Sequence, residues 1–115
     1  DISIYQKKIT ALPIKGSTMD YIRRGLRNVV SDPMGTANTL ANLSVAVAGK
    51  TGTAEYGVKG QGQKHVWMLT FAPFNEPRYA AVIVLDNGES GGRSAAPRMH
   101  DLMTTVFELE KGADG

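Results

Sequence analysis

Three strand-like runs, joined by short glycine- and proline-containing links, most constrain how this chain can fold. The first covers residues 45–56 and is rich in small side chains, the second covers 66–72, and the third, 79–85, is continuously apolar. Because the links are short, the simplest arrangement is an antiparallel meander with the first strand at one edge. A continuous apolar run is typical of a strand covered on both faces, so we expect the third strand to be central.

Helical periodicity flanks these runs on both sides. Residues 17–31 carry an apolar stripe, with Ser17 as the predicted N-cap and Asp20 at the capping-box distance. Arg23, Arg24 and Arg27 fall on the other side of this helix, where we expect a solvated or interdomain surface. A final helix should begin at Ser94 or Ala96. Its apolar positions recur at three and four residues and should lie on the sheet: Met99, Leu102, Met103, Val106 and Phe107.

The remaining segments are short. Residues 2–12 are expected to hold one or two extended pieces, and residues 36–43 a short helix. Two glycine-rich stretches, 57–63 and 87–92, should be loops, and we expect 111–115 to fray. The pattern predicts one α+β unit, an antiparallel sheet packed by helices.

Composition excludes several functional classes. The 115 residues have the length of one domain, and 13 basic against 11 acidic residues give a net charge of +2, which argues against a nucleic-acid partner. There is no cysteine, and no His or acidic cluster at metal-ligand spacing, so we predict no metal and no cofactor. No run approaches the roughly 18 apolar residues of a membrane span, so we expect no membrane contact by this segment.

The stretch with chemical content is Gly49-Lys50-Thr51-Gly52-Thr53-Ala54-Glu55. A lysine on an edge strand supplies a fixed positive charge, threonine hydroxyls donate to a carboxylate, and Gly52 leaves room for a ligand beside the backbone. An edge strand can also pair with an extended peptide. These features predict a strand that binds an anionic peptide, although the letters K-T-G alone occur often by chance.

The surrounding residues give the motif a family context. Gly35-Thr36-Ala37 precedes it, His65-Val66-Trp67-Met68 and Phe71-Ala72-Pro73 follow, and Gly91-Gly92 and Ala95-Ala96-Pro97 come before the last helix. In order and spacing the chain resembles class B penicillin-binding proteins, whose K-T-G motif accompanies S-x-x-K and S-x-N motifs, and among them the elongation-type, penicillin-binding protein 2-like members. The resemblance implies a partial serine β-lactamase/transpeptidase-like fold.

The resemblance also implies a reaction and roles for residues. In that family a serine attacks a D-Ala carbonyl of the peptidoglycan stem peptide, D-Ala leaves, and a neighbouring amine resolves the acyl-enzyme; β-lactams acylate the same serine. By resemblance, Lys50 would tune the electrostatics of the site, and Thr51 and Thr53 would bind the substrate carboxylate. The Thr53 backbone N–H would be an oxyanion-hole donor, and Gly52 would leave space for this geometry.

Two of the three motifs of that family are absent here. No serine is followed three positions later by lysine, and none is followed two positions later by asparagine. Nucleophilic catalysis needs a nucleophile beside its base. We therefore expect residues 1–115 to be the C-terminal portion of a transpeptidase domain, inactive by itself. Its location would be extracytoplasmic, anchored by a segment outside this chain.

Several other residues admit two interpretations. His65 and Trp67 could flank the substrate groove, His65 being a predicted substrate-binding residue, or they could be a strand-end histidine and a packing tryptophan. His100 is better interpreted as a surface or packing residue than as a ligand. Glu55 and Asp86 each end a strand and are expected to be solvated carboxylates rather than an acid/base pair.

Three functional alternatives remain open from the sequence. Besides a transpeptidase fragment, the chain could come from a β-lactam sensor or a penicillin-hydrolysing relative, or it could be a non-catalytic module that holds a peptide carboxylate. Exposed strand edges would also favour self-association.

Overall fold

The sheet is an antiparallel meander, as predicted. A computed structural model describes residues 7–114. The strands β1, β2 and β3 form one sheet in that order, each antiparallel to the next. The elements in chain order are α1 Gly16–Ser31, a 3-10 helix Asn38–Asn42, β1 Ala48–Glu55, β2 Lys64–Ala72, β3 Tyr79–Asp86, a π-helical turn Gly91–Ala95, and α2 Ala96–Asp114. The α+β class and the edge position of the K-T-G strand are confirmed.

The core lies between one face of the sheet and α2. Alternate residues of β2 point to that face and are fully buried, among them Val66 and Met68. Met99, Met103 and Phe107 of α2 belong to the same core cluster as Met68, so the predicted stripe of α2 lies on the sheet. Leu102 of that stripe remains 39% exposed. The burial of each large side chain contributes roughly 1.5–3 kcal/mol, which makes this layer the main source of stability in the described residues.

Helix α1 begins earlier than predicted. Gly16 is its first residue and Lys15 precedes it in extended conformation, with no side-chain cap. The backbone N–H groups of Thr18 and Met19 donate to the carbonyl of Lys15, at 3.0 and 3.1 Å. Ser17 therefore lies inside the first turn, and the predicted capping box is wrong.

Of the solvated or interdomain surface predicted for the arginines of α1, the solvated alternative is wrong for Arg23 and Arg27, whereas Arg24 is exposed. Arg23 donates through Nη2 to the carbonyl of Phe74, at 2.7 Å, and its guanidinium lies 5.3 Å from the centroid of that ring. Arg27 donates through Nη1 to the carbonyl of Val47, at 2.9 Å. Two of the three arginines thus attach α1 to the residues just after β2 and just before β1, at one end of the sheet. Of the apolar stripe of α1, only Val30 is fully buried.

Strand β3 is not central in the described residues. It is the outer strand beside β2, and Val82 and Val84 on its second face are 62% and 47% exposed. Ala81, Ile83 and Leu85 pack against the core. The continuous apolar run therefore has one half-buried face and one open face, and the expectation that both are covered is wrong for this chain.

Element boundaries differ from the predictions at three places. Strand β1 starts at Ala48 rather than at residue 45, because Val45 lies in the bend that packs against the core. Helix α2 continues to Asp114, so residues 111–114 are helical in this structure, and their fraying stays a prediction. The extended pieces expected within residues 2–12 lie partly outside the described residues, and residues 7–12 form no regular element.

Candidate functional site

Strand β1 carries the predicted anion-binding residues on an open edge. Lys50, Thr51, Gly52 and Thr53 lie in its middle, paired with β2 on one side only; no strand lies beyond β1 among residues 7–114. An unpaired edge of this kind offers backbone donors and acceptors to an extended chain.

The predicted residues lie on both faces of the sheet. Thr51 and Thr53 pair with Met68 and Val66, whose side chains point to the α2 side. Side chains alternate along a strand, so Lys50 points to the opposite face, which is also the face of His65. The structure therefore brings the two threonines together, and places the lysine and the histidine across the strand from them.

The threonine hydroxyls open into a groove of about 370 Å³. The Oγ1 atoms of Thr51 and Thr36 are 2.8 Å apart and share a hydrogen bond. The backbone N–H of Gly91 donates to Thr53 Oγ1 at 3.4 Å. The residues that line the groove are Thr36, Thr51, Thr53, Ser90, Gly91, Gly92 and Arg93. The polar side chains of this lining are four hydroxyls and one guanidinium, all of them hydrogen-bond donors suited to an anionic ligand.

Two glycines let the turn before α2 approach β1 closely. A Cβ at position 91 would lie 2.8 Å from Thr51 Cβ and 2.7 Å from the Trp67 carbonyl oxygen. At position 92 it would lie 2.4 Å from the Thr36 carbonyl oxygen. A larger residue would push this turn away from β1 at position 91 and away from Thr36 at position 92, so the two glycines set the width of the groove.

Lys50 is exposed, and its Nζ donates to the carbonyl of Thr51 at 2.7 Å. This contact folds the ammonium group back along the strand edge. The charge therefore lies beside the edge where a peptide would pair, in a position to act on groups that approach from the open face of the sheet.

His65 is held in a cluster at the end of the sheet. Its ring stacks on Tyr56, with centroids 4.1 Å apart and planes 12° from parallel. Its Nδ1 lies 3.5 Å from Asp86 Oδ1, and the Tyr56 hydroxyl donates to the same oxygen. This hydrogen bond to Asp86 is the main cause that raises the pKa of Tyr56 above its usual value. Asp86 thus has two partners, contrary to the prediction of a simply solvated carboxylate.

The surroundings of the remaining candidate residues show which interpretation applies to each. Trp67 is 44% exposed on the open face of the sheet, so it is not the core packing residue of the second interpretation. His100 is half-buried, and its Nε2 lies 2.7 Å from Asn42 Oδ1. Glu55 is exposed and pairs in register with Lys64.

Sequence reasoning missed four residues that the structure adds to these sites. Thr36 and Arg93 line the threonine groove, and Tyr56 and Asp86 hold His65. Thr36 lies in the Gly35-Thr36-Ala37 landmark, and Arg93 follows Gly91-Gly92. Their proximity to these family landmarks is the sequence feature from which the two residues could have been predicted. The contacts of Thr36, Tyr56 and Asp86 join residues 9 to 30 positions apart, and they connect different elements, which no local pattern reveals.

Comparison with known proteins decides the family. The model of the penicillin binding protein transpeptidase domain matches residues 2–104, most of the chain. The chain belongs to this transpeptidase family. Within this family, the chain is a class B, penicillin-binding protein 2-like member.

Two curated relatives and one solved structure are similar to the chain over most of its length. The peptidoglycan D,D-transpeptidase MrdA of Escherichia coli K12 is 32% identical over 97 residues, covering 73% of this chain and 14% of the relative. MrdA of Haemophilus influenzae is 29% identical over 102 residues, covering 77% and 16%. Pseudomonas aeruginosa PBP2, solved in complex with WCK 5153, superposes with a TM-score of 0.71 and 31% identity, covering 81% of this chain and 20% of that structure.

The chain therefore spans about one sixth of the length of these curated relatives. No helix among the described residues is long and apolar enough to cross a bilayer.

Proposed function

We propose that this chain is the C-terminal, substrate-binding part of a peptidoglycan D,D-transpeptidase that cross-links stem peptides through an acyl-serine intermediate. The observation that carries the proposal is the K-T-G strand at an open sheet edge, beside a groove lined by Thr51 and Thr53. The family membership supports the reaction, and the groove supports an anionic substrate group.

The proposed roles follow the position of each residue. Thr51 and Thr53 donate their hydroxyl groups to the terminal carboxylate of the stem peptide. The Thr53 backbone N–H is one donor of the oxyanion hole, a contribution of about 3 kcal/mol to the barrier in comparable sites. Gly52 leaves room for the acyl group, and Lys50 supplies positive charge from the open face. His65 borders the substrate at the end of the sheet.

The nucleophile belongs to a part of the protein outside residues 1–115. Two surfaces support this proposal. One is the outer edge of β3, and the other is the open sheet face with Trp67, Leu69, Val82 and Val84, which are between 44% and 62% exposed. Apolar surface of this extent is typical of an interface. We propose that the remainder of the transpeptidase domain covers it and contributes the S-x-x-K and S-x-N motifs.

The same proposal implies the ligands of the protein and its location in the cell. The ligands are peptidoglycan stem peptides and β-lactams, both of which carry a carboxylate beside the scissile carbonyl. A transpeptidase acts where peptidoglycan is assembled, so the location is extracytoplasmic, with a membrane anchor elsewhere in the protein. Where the remainder of the domain is missing, the exposed edge and face lead to self-association.

The test uses the complete polypeptide that contains this chain, acylated by a fluorescent penicillin. Lys50→Ala should lower the second-order acylation rate at least about tenfold, because it removes the positive charge that the K-T-G strand presents on the open face of the sheet. Lys59→Ala in the β1–β2 loop is the matched control and should leave the rate unchanged. Equal rates for the Lys50 variant and the unsubstituted protein would refute the proposed role of this strand. Binding of the penicillin without acylation would favour a non-catalytic module, and rapid release of hydrolysed penicillin a hydrolase.

A further inference from the structure

The groove beside β1 contains two residues outside the K-T-G motif whose contacts suit carboxylate recognition. We propose that Thr36 is a positioning residue for the Thr51 hydroxyl and that Arg93 is a specificity-determining residue that supplies the cation for a carboxylate ligand in this groove. This inference rests on the proposed function, since the ligand is the carboxylate of a stem peptide or a β-lactam.

Thr36 forms a hydrogen bond to Thr51 through its side chain. The two Oγ1 atoms are 2.8 Å apart, a normal length for a bond between hydroxyl groups. Thr36 follows α1, while Thr51 lies in β1, so the bond joins two elements across the groove. Each hydroxyl can donate one proton and accept another. When Thr36 donates to Thr51, the proton of Thr51 is free to point at a carboxylate, and the first bond strengthens the second.

The backbone around Thr36 keeps this hydroxyl in place. Gly92 packs against the Thr36 carbonyl so closely that a Cβ there would lie 2.4 Å from the oxygen. On the other side, Ala37 is fully buried, and its N–H donates to the carbonyl of Val29 at 3.1 Å. Thr36 is therefore fixed between α1 and the turn before α2, and can orient Thr51 without moving.

Arg93 is the one charged residue among those that line the groove in the described part of the chain. Its backbone is fixed, because its N–H donates to Ser90 Oγ at 3.1 Å. Its side chain is 81% exposed, and Nη1 lies 3.5 Å from Glu89 Oε2, which is long for a charge-assisted hydrogen bond. A guanidinium held this weakly can turn to a ligand at little cost.

Lys50 does not bring its positive charge into this groove, and Arg93 does. Lys50 points to the other face of the sheet, whereas Arg93 shares the groove with Thr51 and Thr53. A planar carboxylate can receive two parallel hydrogen bonds from a guanidinium while its remaining lone pairs accept from hydroxyl groups. The groove thus offers the donor set that a carboxylate needs, with the charge from Arg93.

The experiment compares benzylpenicillin with its methyl ester, which differs only at the carboxylate. The measured quantity is the ratio of their acylation rate constants, acid over ester, in the complete polypeptide. Arg93→Gln and Thr36→Val should each lower this ratio about five- to tenfold, the effect of losing one hydrogen bond worth about 1 kcal/mol. Thr36→Ser should restore it, and Glu89→Gln should raise it about twofold by freeing the guanidinium.

Arg98→Gln is the matched control, since Arg98 lies near the start of α2, just after the turn that holds Arg93, and donates to the Ser94 carbonyl outside the groove. Its ratio should equal that of the unsubstituted protein. An unchanged ratio in Arg93→Gln and Thr36→Val, with a normal preference for the acid in the unsubstituted protein, would overturn this inference and leave the proposed function standing. An unsubstituted protein that is not acylated, or does not prefer the acid, would overturn the proposed function itself. Arg93 is exposed, so its variant tests the inference even where Thr36→Val fails to fold.

Discussion

At the scale of single residues, chemistry near the K-T-G strand depends on contacts between distant parts of the chain. The hydroxyl of Thr51 is oriented by Thr36, and the ring of His65 is held by Tyr56 and Asp86. The residue types of the motif were readable from the sequence, because lysine, threonine and glycine at this spacing have a clear anion-binding use. Their partners were not, since they come from the ends of other elements.

The Tyr56–Asp86 hydrogen bond gives a prediction on pH. Asp86→Asn should lower the pKa of Tyr56 toward its usual value, because the charged acceptor is the main cause that raises it. A raised tyrosine pKa stabilises the folded protein below about pH 10, and this contribution is lost as pH rises through the folded pKa. Titration of the tyrosine ring carbons by NMR measures the shift. Tyr56 ionising at the same pH with and without the Asp86 carboxylate would contradict this account.

At the scale of elements, the meander could be predicted from three strand-like runs with short links. The last helix could be predicted from the spacing of its apolar residues. The first helix was harder to predict, because its periodicity suggested an apolar face toward the protein, whereas Arg23 and Arg27 make the inward contacts. Long arginine side chains can reach buried carbonyl groups from a polar helix face. Val29 and Val30 of the apolar stripe do pack in the core, while Ile22 remains exposed, so amphipathicity predicted the inward face of α1 only in part.

This arrangement predicts that Arg23 stabilises the fold. Arg23→Gln removes a hydrogen bond to the Phe74 carbonyl and a cation–π contact, and should lower the free energy of unfolding by about 1–2 kcal/mol. Arg24→Gln is the matched control, since Arg24 is exposed and makes only a long contact, 3.4 Å, to the Asp20 carbonyl within its own helix. Chemical denaturation measures both. Equal stabilities for the two variants would show that α1 is not attached through Arg23.

At the scale of the whole molecule, the described residues form one layered core with two open surfaces, the outer edge of β3 and the sheet face around Trp67. The third strand was predicted to be central because its sequence is continuously apolar, and in this chain it is an edge strand. The prediction came from a sequence pattern typical of a covered strand. We infer that the residues which cover it belong to the rest of the transpeptidase domain.

The open surfaces should make the isolated chain associate. Sedimentation at increasing concentration should show dimers or larger species, and Val82→Lys should shift the distribution toward monomer, because a charge on the open face resists stacking and pairing. Lys59→Gln in the β1–β2 loop serves as a control and should not change the distribution. A monomer at every concentration would mean that these surfaces do not need a partner.

We propose that Lys50 to Thr53 form half of a catalytic site whose nucleophile lies elsewhere in the protein. The most direct measurement is covalent labelling with a fluorescent penicillin, followed by intact mass, of this chain and of a polypeptide extended upstream to the first S-x-x-K motif. The account predicts that the extended polypeptide is labelled and that this chain is not. Labelling of the 115-residue chain alone would place the nucleophile among its own serines and contradict the claim.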